Sequence, residues 1–248
     1  MKISILNLIP RFIDETAKQS IERGLELAKW ADGQHFERYW VAEHHNSKSI
    51  SCSATDLIIG YILENTNRIK VGAGGVMLPN HTPFQVAERY GTLETLYPER
   101  VDLGIGRAPG TDIETAKLIY RNTYKEDNFK EAIRTLLSYF EDEAENFNVR
   151  PYPGVGTHVP VYILGSSMTS AHIAAQLGLP YSFAGHFSPN TVEVALKIYR
   201  EEFTPSKYLD KPYVMLGVSA NAAYEKDAAE HIKQQAISIF LQIQNRNN

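Results

Sequence analysis

Short apolar runs alternate with helix-spaced segments from one end of this chain to the other, and that alternation limits its fold more than any other feature. Ile3–Leu8 is a short apolar run that reads as a strand. Thr16 to Asp32 carries Ala17, Ile21, Leu25 and Ala28 at helical spacing, with Thr16 and Gln19 placed as a capping box and Gly33 as the stop. Arg38–Ala42 reads as the second strand, Ala54–Glu64 as a helix and Arg68–Leu78 as a glycine-rich third strand. Thr82-Pro83-Phe84-Gln85 opens the next helix with a cap and a proline in its first turn, and Val86, Tyr90, Leu93 and Tyr97 follow on one face. Val101–Ile105 is the fourth strand. A polar stretch, Asp112–Asn148, contains a helical piece near Phe129–Phe140. Val161–Leu164, Tyr181–Ala184 and Tyr213–Val218 complete seven strand candidates, with helices starting near Thr169 and Pro189.

Alternating β and α segments with apolar strands predict a parallel sheet covered by helices. The sheet is either open and doubly wound or closed as a barrel. The polar residues decide between these. Glu43-His44-His45-Asn46, Met77-Leu78-Pro79-Asn80-His81, Gly106-Arg107-Ala108-Pro109-Gly110, Gly165–Ser170 and Gly185-His186 each follow a different strand. An open sheet gathers its site at one switch point, whereas a barrel collects it around the C-terminal rim, so the barrel is favoured. At 248 residues, with 43% hydrophobic and 22% charged residues, the chain has the apolar content and length of one such barrel domain, 1–248. A net charge of −4 gives no footprint for nucleic acid. One cysteine excludes a disulfide framework and fits a reducing cytoplasm. No membrane span and no secretory leader is legible.

The chemistry-bearing residues have competing readings. Gly104-x-Gly106-x-x-x-Gly110 has the wrong spacing and position for a dinucleotide fingerprint. Gly72, Gly74 and Gly75 within a strand point either to tight packing or to a flat ring lying against the backbone. Gly165, Ser166 and Thr169 sit where a helix begins, an arrangement that suits a phosphate or serves simply as a cap. Arg107 can supply a guanidinium fork to such an anion, or be a plain surface arginine. His44 can act as base or proton donor, or be a satisfied histidine at a strand end. Adjacent His44 and His45 point to opposite faces of a strand, so no metal site is expected. Cys52 reads as packing, and no GxSxG elbow is present.

Four ordered stretches carry a family resemblance: Tyr39–His45, Val71–His81, Val101–Thr111 and Leu164–Ser167. Together they make the chain resemble the bacterial luciferase-like monooxygenases over roughly residues 1 to 220. The resemblance implies a TIM-type (β/α) barrel that takes up reduced FMN and uses O2 to oxidise a small organic substrate such as an aldehyde. It implies His44 as the active-site histidine, Arg107 as the phosphate-binding arginine, Ser166 and Thr169 as phosphate-loop hydroxyls, and Gly165 as a backbone contact. It places Ala73, Gly74 and Gly75 under the flavin ring, with an unusual cis peptide there. A separate flavin reductase and a homodimer are expected partners. Two alternatives stay open: hydride transfer with the deazaflavin F420, and a non-catalytic flavin-binding protein. With seven strand candidates, either another element closes the barrel or the chain is a shortened form without its last strand; the segment Ala222–Asn248 reads as helical.

Overall fold

The computed structural model describes residues 1–119, 126–142, 148–220, 222–231, 233, 234 and 237. Seven parallel strands form a nearly closed, TIM-like barrel with helices between them. The strands are β1 (Ser4–Asn7), β2 (Arg38–Val41), β3 (Lys70–Met77), β4 (Val101–Gly106), β5 (Val161–Gly165), β6 (Tyr181–Ala184) and β7 (Val214–Gly217). They neighbour one another in chain order, and β1 and β7 are the two edges. The helices are α1 (Ala17–Gly33), α2 (Thr55–Glu64), α3 (Pro83–Leu96), α4 (Ile113–Ile119), α5 (Glu126–Tyr139), α6 (Met168–Leu177) and α7 (Val192–Glu201). The alternation read from the sequence is therefore the architecture itself.

Local chemistry sets the helix boundaries. At α1, the Thr16 hydroxyl accepts from the Gln19 amide at 3.2 Å and Gln19 Oε1 accepts from the Thr16 amide at 2.8 Å, so both halves of the capping box form. Gly33 does not stop this helix. It is the last helical residue, Gln34 is the cap, and His35 takes the left-handed backbone at φ 61°. Thr82 caps α3 by accepting from the Gln85 amide at 3.2 Å, with Pro83 behind it in the first turn. Helix α4 lies in the stretch that reads only as polar, because it buries no residue and so carries no apolar stripe.

Strand alternation gives the barrel two separate interiors. Tyr39, Val41, Val71, Ala73, Val101, Leu103, Ile105, Val161 and Ile163 face outward and join the apolar core under the helices. The intervening residues fill the barrel. In the β2–β3–β4 register, Trp40 lies beside Gly72 and Gly72 beside Asp102. Arg38 Nε donates to Asp102 Oδ2 at 2.9 Å, Trp40 Nε1 donates to the same oxygen at 3.1 Å, and Arg38 donates to the Tyr162 hydroxyl at 3.0 Å. Trp40 and Tyr162 meet edge to face at 5.1 Å. These contacts make a buried polar cluster inside the barrel.

The strands lie within Met1–Leu216 except for the last residue of β7; Gly217–Asn248 is a second compact unit. In it, residues 226–231 are helical, as expected of the tail, and much of the rest lies outside the described residues. No helix among the described residues is long and apolar enough to cross a membrane.

Candidate active site

Strand register brings the predicted residues to one rim. Val41 lies beside Ala73, Met77 beside Gly106, Ile105 beside Ile163, and Gly165 beside Phe183. Arg107 and Ser166 come one residue after β4 and β5, and His44 three residues after β2. All are at C-terminal strand ends, with neighbouring strands ~4.8 Å apart. His44, Arg107, Gly165 and Ser166 thus lie at or just beyond C-terminal strand ends, Thr169 in the first turn of α6, and Gly74 and Gly75 within β3. Ala73 differs, since its side chain is fully buried in the core under the helices and only its backbone can serve the mouth.

The centre of this rim is a residue not singled out from sequence. Glu43 is 1% exposed. Its Oε1 accepts from Asn80 Nδ2 at 2.7 Å and meets His45 Nε2 at 2.8 Å; its Oε2 accepts from the Met77 amide at 2.9 Å and meets His81 Nε2 at 3.0 Å. Burial alone would raise this carboxyl's pKa, but the bonds from His45, His81 and Asn80 outweigh it and hold the group at about 2. The same network ties loops together. Asn80 also donates to the Pro109 carbonyl at 3.1 Å, and the His45 amide to the Gly110 carbonyl at 3.0 Å. Gly110 adopts φ 63°, and a Cβ there would come within 2.7 Å of the Glu43 carbonyl, so both backbone angle and space require glycine.

His44 is half-buried beside this carboxylate. Its backbone amide donates to the Cys52 carbonyl at 2.9 Å, which fixes the segment. Nδ1 of its ring is buried and has no hydrogen-bond partner among the described residues. Burial holds its pKa below the ordinary histidine value, so at neutral pH the ring is uncharged and can accept a proton. Arg107 is exposed at the end of β4 and pairs with no described residue, which leaves its fork free for an anion.

The loop after β5 is built differently from the sequence expectation. Ser167, not Ser166 or Thr169, is the N-cap of α6. Ser170 Oγ donates to the Ser167 carbonyl at 2.7 Å and pairs with the Tyr181 hydroxyl at 2.9 Å. Ser170 packs against Gly165 where a Cβ would sit, so this glycine is needed for the turn. With capping done by Ser167, the half-buried hydroxyls of Ser166 and Thr169 have no hydrogen-bond partner among the described residues and lie beside the amides of the first turn of α6. Such amides, with hydroxyls and a guanidinium on the adjacent strand, can hold a phosphate-like anion.

Close packing accounts for much of the glycine pattern. A Cβ on Gly75 would approach the Gly104 carbonyl at 2.7 Å, and one on Gly74 would meet Trp40 at 2.8 Å and Leu6 at 3.0 Å. Leu164 lies over both Gly75 and Gly104. The Gly74–Gly75 peptide is cis, in the segment where the sequence resemblance located one. Cys52 is a packing residue, fully buried with its thiol pushed up to about 12 by burial. No group of three or more His, Cys, Asp or Glu among the described residues is arranged to hold a metal.

The model of the luciferase-like monooxygenase family matches residues 1–246. A protein called luciferase-like monooxygenase in Escherichia coli (strain K12) is 45% identical over 230 residues, 92% of this chain and 69% of that one. The protein YddN of Bacillus subtilis (strain 168), uncharacterised by its own name, is 48% identical over 246 residues, 99% of this chain and 73% of that one. Among solved structures, that of apo-MsnO8 is similar with a TM-score of 0.87 and 32% identity, covering 92% of this chain and 69% of that one. A barrel with this rim, matched along almost its whole length by the family model and by relatives at these identities, belongs to the luciferase-like monooxygenase family of oxidoreductases.

Proposed function

We propose that this chain is a flavin-dependent monooxygenase that takes up reduced FMN and uses O2 to oxidise a small organic substrate such as an aldehyde. The observation that carries this reading is the unpaired Arg107 fork on the strand beside the start of α6, where Ser166 and Thr169 leave their hydroxyls free. Free donors of this number and charge fit the terminal phosphate of FMN. When bound, the flavin supplies the electron transfer and oxygen activation. The protein supplies the rest. Arg107, Ser166, Thr169 and the amide of Gly165 anchor the phosphate. Ala73, Gly74 and Gly75 offer their backbone to the flavin ring. His44, uncharged, receives or returns a proton through its imidazole. The rim loops tied together by Glu43 keep bulk water from the reacting centre.

The flavin arrives reduced from a separate reductase, the enzyme works in the cytoplasm, and two copies associate. The dimer reading is supported by the exposed apolar side chains Leu57 and Tyr61 on α2 and Leu96 at the end of α3. Oxygen uptake by the purified chain, supplied with reduced FMN and a panel of aldehydes, tests the function. Aldehyde-dependent uptake with product formation supports it. A visible spectrum and turnover obtained with F420 in place of FMN would replace it with deazaflavin hydride transfer. Tight flavin binding with no turnover would make the chain a flavin carrier.

A further inference from the structure

Four groups surround the Glu43 carboxylate: His45, Met77, Asn80 and His81. Two of them can only donate: the Met77 amide on Oε2 at 2.9 Å and Asn80 Nδ2 on Oε1 at 2.7 Å. The orientation of Asn80 is fixed by its second contact, because the atom facing Glu43 also lies 3.1 Å from the Pro109 carbonyl, an acceptor. Asn80 Oδ1 is left buried without a partner, which shows that the network is arranged to serve the carboxylate and not the amide. With both oxygens already accepting, a 1% exposed carboxyl has no room for a proton of its own. It can only receive hydrogen bonds from the two rings that touch it. His45 and His81 must therefore each carry a proton on Nε2, the nitrogen 2.8 Å and 3.0 Å from Glu43 respectively.

We propose that Glu43 is the positioning residue of this rim: its carboxylate fixes His45 and His81 as Nε2–H tautomers, so that both rings keep Nδ1 as a free acceptor. The two side chains are 21% and 20% exposed, and neither Nδ1 has a partner among the described residues. They come from different strand ends, β2 and β3, flanking the segment that carries His44. What these nitrogens receive is a hydrogen bond or a proton from a ligand O–H or N–H, as a polyol or a heterocycle edge would offer. A rim that presented Nδ1–H groups instead would favour ligand acceptors, so the tautomer decides which ligand edge is recognised. That last step rests on the flavin reading of the site; the tautomers themselves do not.

The test is long-range proton–nitrogen NMR of the 15N-labelled full chain at neutral pH, which separates the two ring nitrogens of each histidine. His45→Gln and His81→Gln assign the two rings among the eight histidines. The expected result is two exchange-protected Nε2–H protons, each lost in its own variant. A hydrogen bond to a charged acceptor favours the bonded tautomer by about ten-fold or more, so no ring protonated on Nδ1 alone is expected. Asn80→Ala, which removes a donor but neither histidine contact, should keep both signals. Glu43→Gln, which places an NH2 among donors, should lose or shift them. A ring of either histidine protonated on Nδ1 but not on Nε2, or an unchanged spectrum in Glu43→Gln, would overturn the proposal. If Glu43→Gln does not fold, the wild-type and Asn80→Ala spectra still decide it. Failure of reduced FMN to bind a wild-type protein with both tautomers in place would sink the flavin reading and leave the positioning role standing.

Discussion

Acid should unfold this protein partly through Glu43, by an amount the structure sets. The carboxyl sits at about 2 in the folded chain against 4.5 for the unperturbed group. A folded pKa below the unfolded one means that the stabilisation is present above the unfolded value and lost as pH falls through the folded one. The relevant window is therefore from pH 4.5 down to about 2. Across it the shift corresponds to about 3 kcal/mol, of which about 2 kcal/mol is already gone at pH ~3. The group is almost fully buried, so solvent screening takes little from this figure. The assay is urea unfolding of wild type and Glu43→Gln at neutral pH and at several pH values below 5. At neutral pH the variant should be less stable by about 2–4 kcal/mol, because an amide cannot accept from all four donors. The gap should close by about 2 kcal/mol as pH falls to ~3. Parallel stability curves for the two proteins would refute the claim that Glu43 is an ionised, hydrogen-bonded group in the native state.

Other perturbations follow from the same geometry. Asp102→Ala leaves Arg38 buried with only its 3.4 Å contact to Glu37 as a carboxylate partner, and should cost about 3 kcal/mol, read as a lowered Tm. Gly104→Ala forces a methyl against the Ala73 carbonyl and Leu164, so it should destabilise by about 1–3 kcal/mol in the same measurement. His44→Ala should leave FMN affinity within about two-fold of wild type while lowering the rate of substrate oxidation by about 10²-fold or more, measured by oxygen uptake and product analysis. Loss of flavin binding in that variant would show that the ring holds the cofactor instead of moving a proton.

The parts of the fold legible in the sequence are those with a local signal. Strand and helix periodicity is local, and so are the Thr16–Gln19 and Thr82–Gln85 caps, all of which form. Where two local signals compete, packing decides. Three hydroxyl residues near the start of α6 can each cap it, and Ser167 takes the role because Ser170 and Tyr181 hold its carbonyl. Helix α4 has no buried face and left no pattern to find. Glu43 escaped for a different reason. A carboxylate at a strand end looks like any solvated acid, and its partners Met77, Asn80 and His81 lie over thirty residues away and meet it only when β2 and β3 pair. The one available hint was that Glu43, Asn80 and His81 all follow apolar strands, where polar side chains are either at a rim or buried with partners.

The central claim is that the barrel mouth holds reduced FMN by its phosphate, with Arg107 as the charged anchor. Anaerobic titration of reduced FMN into wild type and Arg107→Ala, followed by the protein's fluorescence, tests it most directly. Saturable binding by wild type, weakened about ten-fold or more in Arg107→Ala, is the predicted result. Equal affinity for the two proteins, or no binding by wild type, would contradict it.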